Sequence, residues 1–167
     1  RGIILKCFGM AKTEARIKLA IDAMGSDLGS SEVLEGVAQA VDRSPWNTEF
    51  VLFGREEEIE PIISSHSILS RSKIEFVHSP EVVGMEEKPI AGIKGKKKSS
   101  MSLALQALKD GEADALLSCG NTGCLMAGGA IKLRTLDGVE RPALCTIWPG
   151  RERYFTLLDA GANPHAK

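Results

Sequence analysis

The sequence predicts a three-layer α/β/α protein with a mostly parallel sheet, and three observations carry that expectation. Short apolar segments recur along the chain, separated by segments whose apolar residues are spaced by three and four. The elements alternate as strand, helix, strand, helix, strand, loop, helix, strand, helix, strand, strand, the pattern of parallel strands joined by helical crossovers. The 167 residues suffice for one cored α/β domain and are too few for two ordinary ones.

Local spacing justifies each element. Residues 17–21 (Ile-Lys-Leu-Ala-Ile) alternate and then run apolar, which predicts a strand, and residues 22–27 follow as a turn. Ser30 and Ser31 cap a helix whose apolar face is Val33, Leu34, Val37, Ala38 and Val41, and Pro45 ends that region. Phe50, Val51, Leu52 and Phe53 make the second strand, closed by Gly54. Residues 56–64 predict a short helix with Ile59, Ile62 and Ile63 on one side, restarted or kinked at Pro61. Residues 73–77 give the third strand. From 78 to 98 the regular signal fails, and a loop of that length inside a domain is functional or mobile. Ser99 and Ser100 cap the next helix, with Met101, Leu103, Ala104, Leu105, Ala107 and Leu108 at its apolar positions and Gly111 closing it. Residues 113–118 read as a buried strand, 119–123 as a tight glycine-flanked turn, and 124–133 as a small-residue helix able to pack close to a sheet. Residues 143–148 and 154–159 are the fifth and sixth strands. Residues 1–16 are set outside the fold as an N-terminal extension, disordered or an artefact of an upstream-extended frame, because the first Met is Met10. The α/β domain is assigned to residues 17–167.

Composition narrows the function classes. Apolar residues make up 43% and charged residues 26%, the balance of a globular protein. Lys plus Arg total 21 against 22 for Asp plus Glu, so the basic excess of a nucleic-acid binder is missing. Aromatics at 5% leave little for base stacking. Cys7, Cys119, Cys124 and Cys145 form no Cys-x-x-Cys pair, which argues against zinc and for mostly buried thiols in a reducing, cytosolic setting. No apolar run approaches a membrane span.

The candidate chemistry gathers where strands end. Gly120, Asn121, Thr122 and Gly123 follow a buried strand and open a helix. Two readings stand for them: a phosphate cradle built on helix N–H groups, or a sharp turn with Asn as its cap. Ser99 and Ser100 after the basic run Lys94, Lys96, Lys97, Lys98 cap a helix or bind an oxyanion beside raised positive potential. Asp22 and Asp159 end strands, where a carboxylate orients a nucleophile, takes a proton or caps a turn. His66, His78 and His165 share no metal-type spacing, and His78 draws notice because it opens the long loop. The Gly-x-Ser-x-Gly elbow, the Walker loop and the dinucleotide fingerprint are all missing, so no cofactor is called for.

Five ordered segments together carry a resemblance. Residues 19–27 (Leu-Ala-Ile-Asp-Ala-Met-Gly-Ser-Asp), 98–101 (Lys-Ser-Ser-Met), 118–123 (Ser-Cys-Gly-Asn-Thr-Gly), 140–143 (Glu-Arg-Pro-Ala) and 159–163 (Asp-Ala-Gly-Ala-Asn) resemble the phosphate acyltransferase family of bacterial phospholipid synthesis. Ser26 stands where the family has a second Gly, and Cys119 and Cys124 stand where it has Ala. Family members continue well past the last segment, so the resemblance implies a truncated N-terminal part of a longer enzyme, with catalytic apparatus and dimer contacts beyond Lys167.

The resemblance implies a Rossmann-like fold of the isopropylmalate dehydrogenase and phosphotransacetylase kind. It implies an enzyme that makes acyl phosphate from a long-chain acyl carrier protein thioester and inorganic phosphate, without a metal or cofactor. Phosphate would sit on Gly120, Asn121, Thr122 and Gly123 with help from Ser99 and Ser100. Asp22, Asn121 and Asp159 would be catalytic, and Lys94, Lys96, Lys97 and Lys98 would steer the acidic carrier. A cytoplasmic homodimer, loosely associated with the membrane surface, is the implied setting. The alternatives are a phosphotransacetylase-like enzyme using acyl-CoA and a non-catalytic anion- or partner-binding domain.

Overall fold

A strand with apolar residues on both sides needs cover on both faces, and the sheet of this protein has it. The computed structural model describes residues 2–5, 16–43, 47–72, 74–139, 142–143 and 145–158. The chain divides into two units, Arg1–Arg134 and Thr135–Lys167. In the first, Gly2–Leu5 (β1), Ile17–Asp22 (β2), Thr48–Gly54 (β3), Ile74–His78 (β4) and Ala115–Ser118 (β5) form one sheet in the order β1-β5-β2-β3-β4. β2 runs parallel to β3, Asp22 lying opposite Phe53, and parallel to β5, Asp22 lying opposite Ser118. β3 and β4 are also parallel, whereas β1 lies antiparallel to β5 at the edge. Residues 1–16 were expected to lie outside the fold, yet Gly2–Leu5 makes this edge strand; an antiparallel edge on a parallel sheet is a common arrangement.

Five helices join the strands: Ser30–Arg43 (α1), Glu56–Ser65 (α2), Pro89–Gly95 (α3), Ser100–Asp110 (α4) and Thr122–Lys132 (α5). Period two along the strands separates the layers. Ile21, Phe50 and Leu52 pack with Leu34 and Val37 of α1 and Ile59 of α2. Ala20, Val51, Phe53 and Leu116 pack with Leu105 and Leu108 of α4 and Leu125 of α5. The result is the expected three-layer α/β/α arrangement. No helix among the described residues is long and apolar enough to cross a membrane.

Four local expectations are revised. The irregular stretch at 78–98 contains α3, whose first residue is Pro89, where a missing N–H costs nothing. α2 continues through Pro61 without a break; Glu57, whose carbonyl loses its partner, is exposed to water. The two C-terminal strands, Cys145–Pro149 (β6) and Tyr154–Leu158 (β7), do not join the main sheet. They pair antiparallel as a hairpin in the second unit, with Gly150 N–H donating to Arg153 O at 3.0 Å, because four connecting residues are too few for a parallel crossover. Cys145 is exposed, Cys119 half-buried and Cys124 buried, so the thiols are less uniformly buried than expected; Cys7 lies outside the described residues.

Small residues in α5 let it approach α4. A Cβ added at Gly128 would run into Leu105 Cδ1 and come within 3.2 Å of Ile93 Cδ1, and both side chains are buried. Gly36, in the exposed face of α1, has nothing within 4 Å of the same added atom. The same substitution should therefore act with opposite sign at the two sites. Gly36→Ala should stabilise by about 0.5–1 kcal/mol through helix propensity. Gly128→Ala should lose about 1 kcal/mol net, since overpacking costs about 1–3 kcal/mol against that gain. Urea denaturation of the two variants measures both.

Candidate functional site

Parallel strands deliver their carboxyl ends, and the loops that follow, to one edge of the sheet. Because β2 and β5 are neighbours in register, Asp22 and Ser118 end side by side. Ser118 Oγ donates to Asp22 Oδ2 at 2.7 Å, and Gly120 N–H donates to Ser118 Oγ at 3.1 Å. Met24 N–H donates to Asp22 Oδ1 at 3.2 Å. Ser100, the first residue of α4, lies near enough to the same carboxylate to lower its pKa. Asp22 is 2% exposed and Ser100 1%. Loss of water is the largest influence on Asp22 and pushes its carboxyl above the ordinary range, while the nearby Ser100 hydroxyl and the hydrogen bonds from Ser118 and Met24 pull it back in part.

The glycine turn after β5 divides its work between side chain and backbone. Asn121 is the N-cap of α5, its Oδ1 accepting from Cys124 N–H at 3.0 Å. Its Nδ2 is aimed at the carbonyls of Gly84, Met85 and Glu87 at 3.1, 2.8 and 3.0 Å. An amide nitrogen has two hydrogens, so these partners take all that Asn121 can donate. What the turn then offers an anion is the Thr122 hydroxyl and the main-chain N–H groups of Thr122 and Gly123 in the first turn, which no helical carbonyl precedes. Gly25, at φ +76°, closes the neighbouring loop, and an added Cβ would lie 3.1 Å from Val83 O and 3.6 Å from Gly120 Cα. The loops after β2, β4 and β5 meet at that point.

The other sequence candidates separate. Ser99 caps α4, its Oγ accepting from Ser102 N–H at 3.3 Å and donating to Lys96 O at 2.8 Å, so Ser100 is the serine that reaches Asp22. Lys94, Lys97 and Lys98 are exposed. Lys96 lies against the loop before α3, its ammonium donating to Val82 O at 2.7 Å and to the Glu87 carboxylate while its side chain stays 38% exposed. The segment around them is held in place: Ser100 N–H donates to Glu81 O at 3.3 Å and Lys98 N–H to Glu81 Oε2 at 2.8 Å. His78 Nδ1 accepts from Glu56 N–H at 3.2 Å and so serves the start of α2, and His66 lies 3.2 Å from Glu35. Asp159 and His165 lie outside the described residues. Burial first, then the Glu87 charge, push the Cys124 thiol up, which suits it to packing rather than nucleophilic attack. Among the described residues no group of three His, Cys, Asp or Glu side chains could hold a metal ion.

Sequence reasoning missed two residues. Ser118 is the polar end of an otherwise apolar strand beside Asp22, a signal that strand order alone turns into a contact. Glu87 had no signal, because its partners Gly84 and Lys96 are set by the path of the loop.

The buried carboxyl yields a test of its environment. A group whose pKa is raised in the folded state contributes stability below its unfolded value and loses it as pH rises through the folded value. Asp22→Asn removes the charge that burial penalises. Its melting temperature relative to the unsubstituted protein should therefore climb as pH rises above the ordinary carboxylate value of about 4. A flat difference across that range in paired thermal melts would contradict the assignment.

Comparison with known proteins gives the family of the chain. The family model described as "Fatty acid synthesis protein" matches residues 17–167. A phosphate acyltransferase of Bradyrhizobium sp. is 44% identical over 148 residues, covering 88% of this chain and 41% of that protein. One from Azorhizobium caulinodans is 45% identical over 150 residues, covering 89% of this chain and 42% of the relative. One from Pediococcus pentosaceus is 40% identical over 154 residues, with 90% and 43% covered. The chain spans about two fifths of the length of the curated relatives it matches. A match over nearly the whole fold, from the first residue of β2 onward, means that the chain belongs to the fatty acid synthesis protein family.

Proposed function

We propose that this chain carries the phosphate-binding part of an acyltransferase that makes acyl phosphate from long-chain acyl carrier protein thioester and inorganic phosphate. Relatives named phosphate acyltransferase support the reaction class. The observation that carries the reading is the run of hydrogen bonds from Gly120 N–H through Ser118 to the buried Asp22, set between the starts of α4 and α5.

Phosphate sits against the first-turn amides of Thr122 and Gly123, with Gly120 and Ser100 beside it. Asn121 and Ser99 contribute as caps that hold those amides in place. A phosphate oxygen attacks the thioester carbonyl, a C–O bond forms, and the C–S bond breaks. Hydrogen phosphate gives up its proton, and the carrier's thiolate ends by taking one. Asp22, whose carboxyl holds a proton more readily than an exposed one, passes that proton between them by way of Ser118 or Ser100. Binding phosphate in a fixed orientation makes the attack effectively unimolecular. Asp159 is the second proposed carboxylate of the site. Lys94, Lys97 and Lys98 meet the acidic carrier, whereas the Lys96 ammonium is taken up by Val82 O and Glu87. The enzyme works in the cytoplasm as a homodimer that touches the membrane surface peripherally.

Hydroxamate trapping of acyl phosphate, in the protein carried to the length of its relatives, tests this reading. Ser118→Ala and Asp22→Asn should each lower kcat by about 10²-fold. The KM for carrier protein should rise steeply with salt, because exposed charges are screened within about 10 Å at 0.1 M. Product from the unsubstituted protein with neither variant affected would remove Asp22 from the mechanism.

A further inference from the structure

The stretch between β4 and α4 holds a charge pair that the proposed reaction does not use. Glu87 Oε1 accepts from Gly84 N–H at 2.8 Å and from the Lys96 ammonium, which also donates to Val82 O at 2.7 Å. One lysine thus closes the loop 82–87 onto itself. The same loop is bound at its other side by Asn121, which spans the carbonyls of Gly84, Met85 and Glu87 while capping α5. The main chain of Lys96 serves the second helix: its carbonyl accepts from Ser99 Oγ at 2.8 Å and from Ser102 Oγ at 2.9 Å, at the start of α4. Gly92 lets α3 close over the pair, for an added Cβ would lie 2.9 Å from Cys124 Sγ and 3.2 Å from Glu87 Oε2.

We infer that Glu87 and Lys96 are positioning residues: their pairing registers the start of α5 against the start of α4 and thereby sets the affinity for phosphate. Lys96 then differs from Lys94, Lys97 and Lys98 in that its ammonium is held by Val82 O and Glu87. The lowered pKa of Glu87, caused first by the hydrogen bond from Lys96, agrees with a pair charged at neutral pH. The inference rests on the proposed phosphate site and assigns the register of its two helices to a loop that never touches substrate.

The experiment is Lys96→Met, with Lys96→Arg as the conservative variant, in the protein carried to the length of its relatives. Lys96→Met should raise the KM for phosphate about tenfold, the equivalent of one lost charged hydrogen bond, and leave the KM for carrier protein within about twofold. Lys96→Arg should recover most of that loss. Hydrogen exchange of the Cys124 amide, which reports the Asn121 cap directly, should quicken about tenfold in Lys96→Met and return in Lys96→Arg. A rise confined to the carrier KM, with Cys124 exchange unchanged, would make Lys96 a docking contact and overturn the inference. If the unsubstituted protein makes no acyl phosphate, the proposed reaction fails, and the Cys124 exchange alone decides whether the pair registers the helices.

Discussion

Keeping water away from the Asp22 carboxylate is the constraint around which the sheet edge is arranged. A carboxylate so deeply buried is tolerable only when donors replace its hydration. Its donors come from separate parts of the chain, Ser118 at the end of β5 and the Met24 N–H just past β2, with Ser100 at the start of α4 close by. Each must be in place at once. The parallel register of β2 with β5 brings Ser118 opposite, and the crossover from β4 brings α4 down onto the same point. The sheet and the start of α4 thereby meet at one oxygen pair, and the hydrogen bonds offset only part of the burial cost.

From that centre outward, the division between structural and chemical duty becomes clear. Side chains that look like ligands in the sequence, Asn121 and Ser99, are spent on capping the helices. Their service leaves the first-turn amides aimed in fixed directions, and those amides are what can meet an anion. Lys96 follows the same logic, for its ammonium is paired with Glu87 across the loop. The glycine turn at 120–123 carries no cationic side chain of its own, which suits the proposed reaction, in which phosphate is the nucleophile.

The strands and most helices were legible because their cause is local. Residues 17–21 and 50–53 are apolar on both sides of a pleat, and Val33, Leu34, Val37 and Ala38 repeat at helical spacing. Gly111, at φ +78°, closes α4 as its position in the sequence predicted. Helix α3 was hidden because seven residues containing a Pro and two Gly carry too little periodicity, and its stability comes from Ile93 packing in the core and from Gly92 lying against Cys124. The β6–β7 hairpin was misassigned to the sheet because strand propensity says nothing about partners.

For the site, the sequence by itself determined the residue types at strand ends: Asp22, the two serines at the start of α4, and the glycine-flanked turn at 120–123. Those follow from local rules of capping and turning, which nearby residues satisfy without reference to distant ones. Only the tertiary structure decided which of them meet. Ser118 and Asp22 are 96 positions apart and become partners solely through strand order. Glu87 and Lys96 became a pair, and Asn121 a tie across 34 to 37 positions, through the path of an irregular loop. Hydrogen bonds reach about 3 Å, so a role that depends on a partner is settled only when the fold brings that partner within reach.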